Sequence, residues 1–157
     1  MASTPYQVQV RRMKDFSVLE LYALLKMRID VFVVEQKCPY PELDGKDVNA
    51  LHVTLLDGDE LLACARILPP SQAQDPVKIG RVVVSPNHRG KHLGDALMRE
   101  AIAVCEQHFI GHTIALSAQS HLQLFYQSFD FAPTSAEYLE DGIPHIDMVR
   151  PVSIGRA

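Results

Sequence analysis

The stretch Val82-Val83-Val84-Ser85-Pro86-Asn87-His88-Arg89-Gly90-Lys91-His92-Leu93-Gly94 runs from an apolar strand through a proline turn into a glycine-flanked helix start. Such a junction leaves several backbone N–H groups without intrahelical partners, all pointing one way and reinforced by the helix dipole. An anionic pyrophosphate suits that geometry. Arg89 and Lys91 add charge, and Gly90 and Gly94 allow a ligand close to the main chain. The same string also reads as an ordinary strand-to-helix turn, because short glycine motifs are common. A Walker loop is excluded: Gly90-Lys91 is followed by His92, so the hydroxyl that would hold magnesium is missing. A dinucleotide fold needs a different glycine spacing and a ribose-binding acid further on, and neither is convincing here.

The elements that must position this cradle follow from periodicity. Tyr6 to Val10 alternates as a half-buried strand does. Ser17, with Glu20 three residues later, predicts a helix N-terminus, and Val18, Leu21, Tyr22, Leu25, Ile29 and Phe32 recur at helical spacing as its expected core face. Beyond Gln36 the chain turns irregular through Pro39 and Pro41, placing Glu42, Asp44 and Asp47 on an expected exposed loop. Leu51–Leu56 and Leu61–Leu68 form a predicted hairpin around Asp57-Gly58-Asp59-Glu60. Pro69 to Pro76 is a loop to a third strand, Val77–Val84, which enters the cradle. A helix from Leu93 stops near Gly111, Thr113–Leu116 is a short buried strand, and right-handed crossover makes it parallel to Val77–Val84. A helix over His121–Phe129 and strands near Ala136–Leu139 and His145–Val149 follow. The predicted class is α/β, a mixed and mostly antiparallel sheet with a parallel central pair, flanked by helices.

At 157 residues, the chain is expected to form one domain over 1–157. Cys38, Cys64 and Cys105 are odd in number, lack a C-x-x-C pairing and read as reduced core thiols. The formal net charge of -4 and the absence of a lysine-rich stripe argue against nucleic acid as partner. No apolar run approaches the ~20 residues of a membrane span, and the first residues lack a signal pattern, so cytoplasm is the expected compartment. His88/His92 and His108/His112 have four-residue spacing, but one pair spans the loop-to-helix junction and the other spans Gly111, so no metal is expected.

The order of elements, with the Val84–Gly94 string and Phe125-Tyr126-Gln127-Ser128-Phe129-Asp130-Phe131, resembles the GNAT superfamily of acyl-CoA N-acyltransferases over nearly the whole chain. Arg28-Ile29-Asp30-Val31-Phe32-Val33-Val34-Glu35-Gln36, Cys38-Pro39-Tyr40 and Asp141-Gly142-Ile143-Pro144-His145-Ile146 look like its ElaA-type subgroup. The resemblance implies a GNAT-like fold and acetyl-CoA as cosubstrate. In that reading, strand residues Val82, Val83 and Val84 lie along its pantetheine, with the main chain of Val82 and Val84 pairing to it. Arg89, Gly90, Lys91, His92, Leu93 and Gly94 wrap its pyrophosphate. His92 stands where the family's middle glycine would be, so its side chain must point away from the pyrophosphate or hydrogen-bond to it. Gln119 replaces a common asparagine beside the cofactor, and relatives commonly form homodimers.

Amide formation from a thioester needs a neutral amine, a positioned carbonyl and a proton for the departing thiolate. The resemblance makes Tyr126 the general acid, a role that suits a phenol protonated at neutral pH; from periodicity alone Tyr126 is an aromatic packing beside Phe125 and Phe129. Arg81 occupies the strand position where many relatives carry a glutamate, and an arginine cannot serve as base. Glu35, His52 and His145 are the candidates, each with a structural alternative: a solvated helix end, a packed strand residue and a satisfied core hydrogen bonder. His145 leads because histidine ordinarily titrates near neutral pH. The expected activity is acetyl transfer to a small-molecule primary amine. Its rivals are an acyl-homoserine-lactone-synthase-like acyltransferase, suggested by the Val-Phe-Val-x-Glu-Gln core but expected to lack so complete a CoA cradle, and a non-catalytic CoA-binding sensor. The loop acids after Glu35 are candidates for attracting a cationic amine.

Overall fold

Alternation of side chains in the hairpin strands sets up two faces, and a helix covers each. The computed structural model describes residues 5–152. β1 (Gln7–Arg12), β2 (Leu51–Asp57), β3 (Glu60–Leu68) and β4 (Val77–Val84) pair antiparallel in sequence order. Then β5 (Ile114–Gln119) joins β4 in parallel, and β8 (Ile143–Arg150) joins β5 antiparallel. β6 (Ala132–Pro133) and β7 (Tyr138–Glu140) both pair with β8, completing a sheet of eight strands. The mixed α/β class, mostly antiparallel with one parallel pair, is as expected. β5 runs three residues further than predicted, and β6 is a two-residue bridge without a sequence signature.

α2 (Leu93–His108) lays Leu93, Ala96, Leu97, Ala101, Val104 and Cys105 against Val53, Leu55, Ala63, Ala65, Ile67 and Ile79. The intervening strand residues face the other way, where Cys64 and Val83 meet Leu24 and Val31 beneath α1 (Val18–Ile29). The predicted capping box is present: Ser17 Oγ accepts from the Glu20 amide, and the Glu20 carboxylate accepts from the Ser17 amide. The predicted core face of α1 needs correction, since Val18 and Tyr22 are exposed and Leu24, Arg28 and Val31 are the buried positions. An apolar count passes over an arginine, and here Arg28 occupies the central core position of the stripe. After Ile29 the helix widens into a π-helical turn, Asp30–Glu35.

The last predicted helix is shorter than expected, a 3₁₀ turn at Ser120–Leu122 followed by α3 (Gln123–Gln127). All three cysteines are buried and free, with Cys64 and Cys105 pushed by burial up to about 12.

Candidate active site

β4 is interrupted at Arg81, whose φ of 50° is unusual for a non-glycine residue. Pairing with β3 steps from Cys64↔Val83 to Arg66↔Gly80, so β4 carries one extra residue there, a β-bulge. The bulge bends β4 away from β5, and the parallel pairing stops after Val77↔Ile114 and Lys78↔Ala115. Because the Ser85 amide donates to Leu62 on the β3 side, alternation turns the main-chain groups of Val84, and of Val82 two residues back, toward the gap. Val83 instead packs its side chain beneath α1.

The gap opens into a cavity of about 620 Å³, lined among others by Val82, Gln119, Leu122, Tyr126 and His145. Tyr126 is 7% exposed, wedged edge-on against Phe125 and Phe131 at centroid distances of 5.1 and 6.3 Å. Among the described residues no side chain hydrogen-bonds its phenol, and burial pushes it up to about 12. Gln119 Nε2 donates to Gln36 Oε1 at 3.3 Å, tying β5 to the end of the π-helical turn.

His145 sits opposite Gln119 on β8, with its ring stacked on Tyr138 at 6.2 Å. Its Nδ1 lies 2.7 Å from the Ile143 carbonyl, which can only accept, so Nδ1 carries the proton and the neutral ring has a bare Nε2. That nitrogen faces Glu140 Oε2 at 3.5 Å. Asp147, on the same face two residues on, accepts from Tyr138 Oη at 2.5 Å and from Ser117 Oγ at 3.3 Å.

The other two base candidates lie elsewhere. Glu35 is outside the cavity wall, on Arg89 at 2.6 and 3.0 Å, and that guanidinium holds its carboxyl below the ordinary range. His52 is 1% exposed, set between the Asp47 carbonyl and the edge of Phe16, and burial lowers its basicity.

The acidic loop also needs correction. Glu42 and Asp47 are each 3% exposed rather than solvated. Glu42 accepts from Arg28 Nε at 2.7 Å and from Arg81 Nε at 2.8 Å, with Tyr40 Oη on its other oxygen. Asp47 accepts from Arg28 Nη1 at 2.7 Å and from Arg66 at 3.3 Å, and Asp44 from Arg66 at 2.9 and 3.0 Å. Three arginines thus neutralise three carboxylates, and these acids are not free to attract an amine. Periodicity missed Arg28 and Arg81; the signal available was a matched set of charges, an arginine inside an apolar helix and three acids on the loop after it.

The predicted cradle is a turn of positive-φ residues that leads into a helix N-terminus. Gly90 at φ 80° and His92 at φ 60° wind the chain into the start of α2, whose N-terminus has no side-chain cap. The first-turn amides therefore lack a capping acceptor from the protein. His92 takes the left-handed conformation glycine favours, and its side chain is 90% exposed, pointing away into solvent. Leu93 is buried in the core. Lys91 Nζ donates to His88 Nδ1 at 3.1 Å, so His88 presents a protonated Nε2 to Glu60 at 2.8 Å. A Cβ on Gly94 would meet Phe125 and Val84 at 3.7–4.0 Å, so this glycine faces apolar packing. Among the described residues no group of three or more His, Cys, Asp or Glu is placed to hold a metal ion, and no helix is long and apolar enough to cross a membrane.

This bulged, splayed sheet, with a glycine-containing turn leading into α2, is the architecture of an acyl-CoA N-acyltransferase. The Acetyltransferase (GNAT) domain family matches residues 26–151, and the chain belongs to it. It is similar to Protein ElaA of Escherichia coli K12, 49% identical over 140 residues that cover 88% of this chain and 92% of that one. The crystal structure of Escherichia coli ElaA superposes with a TM-score of 0.87 at 45% identity, covering 93% of this chain and 99% of that one. An acyl-CoA N-acyltransferase from Pseudomonas aeruginosa gives the same TM-score, 0.87, at 43% identity, with the same shares covered. A CoA-dependent acyl-homoserine lactone synthase superposes at 0.80 with 14% identity, covering 96% of this chain and 85% of that one, a likeness of fold alone.

Proposed function

We propose that this chain is an N-acetyltransferase that moves the acetyl group of acetyl-CoA to a primary amine by direct attack. The observation that carries this reading is the cleft opened by the bulge at Arg81. It brings Val82, the ring of Tyr126 and the imidazole of His145 to one cavity, with the main chain of Val84 further along the same strand. Acetyl-CoA supplies a thioester carbonyl and a thiolate leaving group. The α2 N-terminus with Arg89, Gly90 and Lys91 holds the pyrophosphate, the main chain of Val82 and Val84 holds the pantetheine, and Gln119 offers its amide.

His145 Nε2, bare in the neutral tautomer, takes the proton that the acceptor nitrogen must lose. Glu140, half-exposed beside it, stabilises the imidazolium and gives the proton a route to solvent. Tyr126 gives its proton to the departing sulfur. Burial raises the phenol to about 12, so it still carries its proton at neutral pH when the thiolate departs. Glu35, occupied by Arg89, and His52, buried away from the cavity, are not the base in this reading.

Tyr126→Phe keeps the ring and removes the proton. With an amine panel and CoA release as readout, kcat falls by roughly 10²–10⁴ while the thermal shift given by acetyl-CoA is preserved. Full activity in this variant would reduce Tyr126 to packing. Acetyl-CoA binding without turnover on any amine would favour a CoA-binding sensor.

A further inference from the structure

The cavity has two electrically opposite walls. Resting on the acyl-transfer reading above, we infer that the acceptor is a compact zwitterion, a primary amine carrying a carboxylate or similar anion several atoms away. The acids of the wall, Glu140, Asp141 and Asp147, all belong to the β7–β8 ribbon beside His145. On the opposite side Lys46 and Lys78 line the cavity, and among the described residues neither ammonium has a partner. The remaining charged groups there belong to a network that cancels, Arg28, Arg66 and Arg81 being matched by Glu42, Asp44 and Asp47. Arg66 is 5% exposed and its Nε–H has no acceptor among the described residues, an unsatisfied donor on the same basic side.

Register places the two ends on one face. Lys78 is the partner of Ala115, Ser117 and Gln119 follow by alternation, and Asp147 and His145 lie across from them. Lys78 and His145 are therefore two strand spacings apart, about 10 Å, and four residues apart along the strands, about 13 Å. Two long side chains reach across much of that span and leave room for a short chain of atoms between them. An acceptor amine at His145 then places its anion at Lys78 and Lys46. A diamine of the same length would put its second cation against these lysines.

The test compares 6-aminohexanoate, n-hexylamine and 1,5-diaminopentane as acceptors, by CoA release with acetyl-CoA and by calorimetric binding to the CoA-bound enzyme. Expected is a preference for the aminocarboxylate of about tenfold in kcat/KM over n-hexylamine, which lacks the anion, carried mainly by KM. Lys78→Met should lower that ratio about threefold and Lys78→Arg should restore it, with acetyl-CoA affinity and Tm confirming that each variant is folded. Turnover of amines with no such preference, or a ratio untouched by Lys78→Met, overturns the inference and leaves the acyl-transfer reading standing. Lys78-dependent binding of the aminocarboxylate without turnover supports the zwitterion site and removes the acyl-transfer reading. Absence of both binding and turnover for all three probes overturns the inference for this ligand class.

Discussion

Removing one charge from the buried network beneath the 38–50 loop should be far more damaging than removing any exposed charge. Glu42 is the centre of that network: its carboxylate binds Arg28 and Arg81, and its carbonyl accepts again from Arg81 Nη2 at 3.1 Å. Glu42→Gln keeps the shape but leaves two guanidinium groups sharing one neutral amide oxygen. Hydrogen bonds to charged partners contribute about 1.5–3 kcal/mol and neutral ones about 0.5–1.5, so two such exchanges cost ~2 kcal/mol. The uncompensated charge beside Arg28, 1% exposed, adds to this and brings the loss to about 3 kcal/mol. For a chain of this size that lowers Tm by about 6–12 °C, read by circular dichroism at neutral pH. Glu60→Gln, at an exposed pair, should change Tm little. A loss for Glu42→Gln of about 1 kcal/mol or less would refute the claim that the network holds the loop. Acid tests the same network. Burial alone would raise Asp44, but the Arg66 hydrogen bonds, the Lys46 amide and the Arg66 and Arg81 charges hold it at about 2. Burial alone would likewise raise Asp47, but the hydrogen bonds and charges of Arg28 and Arg66 outweigh it and hold the carboxyl below its ordinary range. With folded values below unfolded ones, this stabilisation is full above the ordinary carboxylate range, about pH 4, and is lost as pH falls toward 2.

Two further substitutions separate the parts of the cradle. Glu35→Gln releases Arg89 from an exposed ion pair and should tighten acetyl-CoA binding by up to about fivefold in calorimetry, whereas an unchanged or weaker affinity would show that Glu35 does not compete for Arg89. Gly90→Val forces a β-branched residue to φ 80° and should weaken acetyl-CoA at least about fivefold, while Gly94→Ala, whose Cβ meets ordinary contacts, should stay within about twofold. Equal effects at the two glycines would contradict the placement of the cradle.

Most of the strands and α2 were legible because their signals are local: alternation, turn residues at Gly58 and a helical run that stops before Gly111. The strand-to-helix junction over 82–94 was legible for the same reason, since strand, proline, glycine and helix start are contiguous. α1 was misread where its buried stripe passes through Arg28, because charged residues are rarely buried without partners and those partners, Glu42 and Asp47, lie 14 and 19 residues away. The depth of the acidic loop was hidden for the same reason. The tautomer of His145 depends on a carbonyl two residues back and on the turn of the β7–β8 ribbon, which no spacing specifies.

Arg81 joins these threads. Its backbone supplies the left-handed step that bulges β4, and its side chain reaches over the Tyr40 ring to Glu42, at 5.6 Å from the ring centre. The bulge at this point opens the sheet, and the arginine at its crest ties the 38–50 loop to that opening through Glu42. In the proposed acyl transfer, an arginine at this position leaves β4 without a carboxylate base, and the proton of the amine leaves by the other wall. In that reading the group available there is His145 Nε2, 3.5 Å from Glu140 Oε2. An Arg81→Glu variant therefore should not create a working base, because the new carboxylate would face Glu42 and lose the loop; kcat/KM should fall together with Tm. A more active and equally stable Arg81→Glu enzyme would return the base to β4 and leave His145 with an anchoring role.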